Sequence, residues 1–174
     1  MSVLTTVSNL LTAVPDEPFK RSLAGWILVG LNLLMTGMSL NFFLGMMKSG
    51  VVGWLMMNTC APSIFLFVLG FLLGSPALMT AGAIAMFRYG TLGLFVFSWS
   101  GSNVIAQVGH IFMTAGVIYT AYEVITHHYW AAALQGLLLA LVLLIPFTIV
   151  QERWTKAHAD LVQQLFAGTL SVTQ

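Results

Sequence analysis

Charged side chains are so sparse along this chain that the apolar runs between them define its organisation. Between Arg21 and Lys48 the stretch Ser22–Met47 carries no charge, and it exceeds the about 20 residues a helix needs to cross a bilayer. A transmembrane helix is predicted over 22–47. At the other end, Tyr129 to Val150 is rich in Leu and Ala and holds Pro146 near its exit, where a membrane helix tolerates it. This predicts a second span over 129–150.

The middle admits two readings, because the runs from Lys48 to Arg88 and from Arg88 to Glu123 are each too long for one standard crossing and short for two. In the five-helix reading, spans cover 51–73, 77–99 and 104–122, joined by the turn clusters Gly74-Ser75-Pro76 and Ser100-Gly101-Ser102-Asn103. Arg88 then lies at mid-bilayer. Trp26, Trp54, Trp99, Trp130 and Trp154 each fall near a boundary, as an interfacial aromatic belt requires. In the four-helix reading Arg88 marks a loop. Lys20, Arg21, Arg88, Arg153 and Lys156 then share one side, which suits the positive-inside bias better. Five helices are preferred, since turn chemistry is local and specific while so few basic residues make the charge bias a small sample.

Both ends carry a surface-seeking pattern. Val3, Leu4, Val7, Leu10, Leu11 and Val14 recur at helical spacing before Pro15 and Pro18, predicting an interfacial helix over 1–14. Over 153–167, Trp154, Ala157, Leu161, Val162, Leu165 and Phe166 form one face, opposite Lys156, His158, Asp160, Gln163 and Gln164. This predicts an amphipathic helix that anchors at the interface or docks on a partner.

Composition sharpens the class. Of 174 residues 59% are hydrophobic and 6% charged, where an ordinary soluble domain has roughly a quarter charged. With a mean hydropathy of +0.94, the apolar side chains exceed what a core of this size can hide. The expected fold is therefore an all-α integral membrane protein, a bundle of five (alternatively four) transmembrane helices with amphipathic interfacial helices at both termini. The net charge of +1, without a basic run, argues against nucleic acid as a partner. The single cysteine, Cys60, lies in an apolar stretch and reads as a small buried hydrophobe. Residues 1–14 lack a charged start, so a retained segment is expected in place of a cleaved signal. The short loops suggest a bacterial inner or organellar membrane.

Polar residues within the apolar runs are the candidates for chemistry. Arg88 projects with Ala77, Ala81 and Ala85, a stripe of small residues, and is expected to face protein and to bind an anionic group or backbone carbonyls. Asn103, Gln107, His110 and Thr114 are spaced to share one face of the fourth span, and Asn32 and Thr36, with Ser39, form a shorter stripe on the first. Such a pair of stripes makes either a hydrogen-bonded seam between helices or a hydrated pathway with Arg88 and His110 as its charged and titratable members. A second group, Tyr119, Glu123, His127 and His128, is expected as an interfacial cluster at the end of that span. Four histidines and one cysteine are too few for a membrane iron site, and only His110 lies well inside a span, so no metal, haem or other cofactor is predicted. No nucleophile with its base is suggested by spacing, and no phosphate loop is present.

These features favour a non-catalytic integral membrane subunit, or an accessory or assembly factor, of a larger membrane complex. Its partners would be the lipid bilayer and other membrane subunits or further copies of itself. The alternative is a small oligomeric transporter or channel whose polar route is lined by the first and fourth spans and Arg88.

Overall fold

The computed structural model describes residues 19–38, 50–57, 59–101 and 103–167, and every regular element among them is a helix. These are α1 (Leu23–Met38), α2 (Gly50–Met57), α3 (Cys60–Leu73), α4 (Pro76–Met86), a π-helical segment (Phe87–Thr91), α5 (Gly93–Val96), α6 (Asn103–Thr126), α7 (Trp130–Ala157) and α8 (Ala159–Ala167). Among the described residues three stretches are long and apolar enough to cross a membrane: Pro76–Val96, which joins α4, the π segment and α5, then α6, then α7. The helices Leu23–Gly37 and Cys60–Leu73 are apolar but shorter.

The boundaries differ from the sequence expectation for physical reasons. The stretch 51–73 is two helices, α2 and α3, parted around Thr59, which sits in a turn. The stretch 77–99 widens into the π segment and stops at Val96, where Phe97 turns extended. The fourth span lengthens to 103–126. Helix α7 runs past 150 to Ala157, because Gln151, Glu152 and Arg153 are good helix formers and nothing there breaks the ladder. The amphipathic segment 153–167 is consequently divided: its first turn belongs to α7, and α8 begins after His158, whose N–H closes on Trp154 O and Thr155 O. The N-terminal segment 1–14 and residues 39–47 of the first span lie outside the described residues, as do Ser39 and Ser102.

Helix α4 occupies the centre and packs against α3, α6 and α7. Its sequence explains the position, since Ala81, Gly82, Ala83 and Ala85 are all buried and let three neighbours approach at once. The crossing with α3 is backbone-close: a Cβ on Gly82 would stand 2.7 Å from Phe67 Cα, and one on Gly70 2.9 Å from Met79 Cα. The hairpin between them is set by Gly74-Ser75-Pro76. Gly74 takes φ +67 as the left-handed cap of α3, Ser75 N–H returns to Gly70 O, the Ser75 hydroxyl accepts from Leu78 N–H, and Pro76 opens α4.

Because α4 fills the space between them, the consecutive helices α6 and α7 barely touch, while α1 lies across α6 and α3. Phe67, Phe71, Met79, Met86 and Met113 form the centre of the core. Large apolar side chains such as Phe95, Ile118 and Val142 point outward, as a lipid-facing surface would have them.

Candidate functional site

The polar face of α6 is buried along its first two turns, with Asn103 and Gln107 fully inaccessible and His110 nearly so. Its partners are the backbone of the broken helix opposite. Gln107 Nε2 donates to Phe97 O at 2.7 Å and to Leu94 O at 3.4 Å, two carbonyls left without helical partners where α5 ends. With its nitrogen so used, Gln107 Oε1 accepts from His110 Nδ1 at 2.8 Å. In the neutral ring this places the proton on Nδ1 and leaves Nε2 as an acceptor, which Cys60 Sγ approaches at 3.6 Å. Cys60 Sγ also lies 3.8 Å from Tyr89 O in the π segment. The imidazole fits against Gly93, where a Cβ would stand 2.6 Å from His110 Cε1, and beneath the Phe97 ring at 5.7 Å between centroids.

The rest of the stripe continues the pattern. Thr114 Oγ1 donates to His110 O and meets Thr91 Oγ1 of the π segment at 3.0 Å. At the other end Asn103 Nδ2 donates to Ser98 Oγ and to Phe166 O, which ties α8 to the bundle, where Phe166 stacks on Phe97 at 4.7 Å. On α1, Asn32 Nδ2 donates to Leu28 O and across to Phe112 O of α6, and Thr36 Oγ1 donates to Asn32 O. The acceptors are spread over Leu94, Phe97 and Ser98 at the end of α5, Phe166 of α8, and the backbone of α1 and α6 themselves.

Arg88 departs from its expected placement. The π segment begins at Phe87, and the widened turn leaves Arg88 exposed, not facing protein beside Ala81 and Ala85. Its guanidinium sits 5.4 Å from the Tyr89 ring centroid and lines a cavity of about 310 Å³ with Thr59, Gln151 and Thr155. His110 packs against Gly93 and Phe97, which line that cavity, and is not itself one of its lining residues. Gln151 Nε2 closes the break between α2 and α3 by donating to Met56 O, and Ser63 Oγ does the same for Thr59 O.

The second group is only partly brought together. Tyr119 hydroxyl meets Ser22 Oγ at 3.0 Å, while Glu123 is buried with His127 Nδ1 3.2 Å from its Oε2 and 3.2 Å from its own carbonyl. His127 stacks on Tyr129. His128 stands apart: it is exposed at φ 56, the left-handed position that ends α6, with Tyr129 N–H returning to Val124 O.

Sequence spacing missed Cys60, Ser22, Gly93 and Arg21, whose side chain caps α3 at Phe71 O and Leu72 O. Cys60, His110 and Gln107 have the order of nucleophile, base and orienting group, yet Cys60 does not line the Arg88 cavity. The chemistry this arrangement supports is the closing of interrupted backbone inside an apolar bundle. Among the described residues no group of three or more His, Cys, Asp or Glu side chains could hold a metal ion. No protein-family model, no curated protein and no solved structure matches the chain.

Proposed function

We propose that this chain is a non-catalytic integral membrane subunit, or an accessory factor, of a larger membrane complex. In this reading it crosses the bilayer five times, through α1, through α2 with α3, through Pro76–Val96, through α6 and through α7. The observation that carries the proposal is the use of the α6 stripe. Gln107 and His110 spend their hydrogen bonds on Phe97 O, Leu94 O, one another and Cys60, which suits a seam holding helices. Short connections such as Gly74-Ser75 and His127-His128-Tyr129 leave no room for a soluble catalytic or receptor unit between those helices.

One observation favours a small oligomeric transporter or channel as the second reading. The interruption near Thr59 and the π segment face each other through Cys60 and Tyr89, and broken helices meeting inside a bundle are a recurring way to build a transport site. Reconstitution into liposomes separates the two. The subunit reading predicts no protein-dependent flux of protons, potassium or chloride. A flux that disappears with Arg88→Ala would place transport first.

A further inference from the structure

We propose that the cavity at Arg88 binds an anionic phosphate group at headgroup depth. The proposal rests on the membrane-spanning reading but not on the choice between subunit and transporter. Among the described residues Arg88 has no acidic partner, the ion pairs there being Glu123 with His127 and Glu152 with Lys156. A guanidinium within an apolar span is costly near the centre, and an exposed one in such a span calls for an anion or a route to the interface.

The cavity supplies both. Gln151 and Thr155 line it and lie beside Trp154, just beyond the last apolar turn of α7, which in the spanning reading puts that side of the cavity near headgroup level. Thr59, only 8% exposed, lines the same space. Its hydroxyl makes no cap bond to α3, and Tyr89, whose buried hydroxyl has no hydrogen-bond partner among the described residues, lines the same cavity. The backbone there is the N-terminus of the 14-residue helix α3, whose first N–H groups lack helical acceptors and favour negative charge. Most of the remaining lining is apolar, and Val162 and Phe166 of α8 form part of it. A phosphate that carries acyl chains suits such a wall, and Arg matches phosphate oxygens with two parallel donors.

The test is native mass spectrometry of the full chain in mild detergent, titrated with phosphatidylglycerol, phosphatidylcholine of the same acyl chains, and inorganic phosphate. Phosphatidylglycerol is expected to bind the wild-type chain about tenfold more tightly than phosphatidylcholine. Arg88→Ala should erase that preference, Arg88→Lys should keep part of it, and Thr59→Val should weaken it with the melting temperature unchanged. Displacement of phosphatidylglycerol by millimolar inorganic phosphate, dependent on Arg88, would keep the phosphate site and assign it to the free ion. Equal phosphatidylglycerol binding by wild type and a folded Arg88→Ala chain would overturn the proposal, as would loss of a co-purifying subunit on Arg88→Ala with lipid binding intact. Should Arg88→Ala not fold, Arg88→Lys and Thr59→Val decide: unchanged affinity in both overturns it. Failure of the wild-type chain to float with liposomes would instead reject the spanning reading.

Discussion

Replacing Gln107 with leucine removes a side chain that is wholly inaccessible and makes three hydrogen bonds, to Phe97 O, Leu94 O and His110 Nδ1. Leucine is close in size, so the change tests polarity more than packing. In membrane proteins an interhelical hydrogen bond contributes about 0.6 kcal/mol on average, which puts the three together at about 2 kcal/mol. Two carbonyls and an imidazole N–H left dry would push the loss upward, since an unsatisfied buried group costs roughly 1–3 kcal/mol. For a chain of this size about 2 kcal/mol corresponds to a fall in melting temperature of roughly 4–8 °C. The assay is thermal unfolding in mild detergent of Gln107→Leu, His110→Leu and the double variant. The double variant should lose less than the two single losses added together, because the Gln107–His110 bond is counted in both. A shift under about 1 °C for Gln107→Leu, or strict additivity, would refute the seam as the purpose of the stripe.

Other consequences are independent of that seam. Gly82→Leu should destabilise by about 3 kcal/mol or abolish folding, because its Cβ meets the Phe67 backbone, whereas Gly30→Leu should be tolerated, since nothing lies within 4 Å of a Cβ there; monodispersity on gel filtration and melting temperature report both. His128→Gly should raise stability by about 0.5–1 kcal/mol, because an exposed residue at φ 56 carries a left-handed penalty that glycine lacks, and a fall in melting temperature would count against that cap. Asn103→Leu with Phe166→Ala should free α8 from the bundle, read as faster proteolysis beyond His158 with the preceding helices still protected; an unchanged rate would contradict the docking of α8.

Much of the helical order is legible in the residues. Gly74-Ser75-Pro76 carries three capping functions in three positions, so the α3–α4 hairpin can be placed from sequence, and folding about Ser75 brings Gly70 to Met79, Phe67 to Gly82 and Cys60 to Tyr89. The burial of Asn103, Gln107 and His110 on one face follows from spacing alone. The bonding partners do not, because they are carbonyls, which every residue has, and only the end of α5 makes Leu94 O and Phe97 O available. The outward turn of Arg88 is hidden for a related reason. A π segment changes the register by altering backbone bonds, and Phe87-Arg88-Tyr89-Gly90-Thr91 carries no proline or other breaker to announce it. Likewise the length of α7 was concealed by Glu152 and Arg153, which mark the end of an apolar run but continue a helix readily.

The proposed role is tested most directly by native mass spectrometry of the affinity-tagged chain extracted from its own membrane in mild detergent. A membrane subunit or accessory factor predicts stoichiometric, unrelated membrane subunits bound to it. Recovery of the chain as a homo-oligomer free of any foreign subunit, with Arg88-dependent flux in liposomes, would contradict that role.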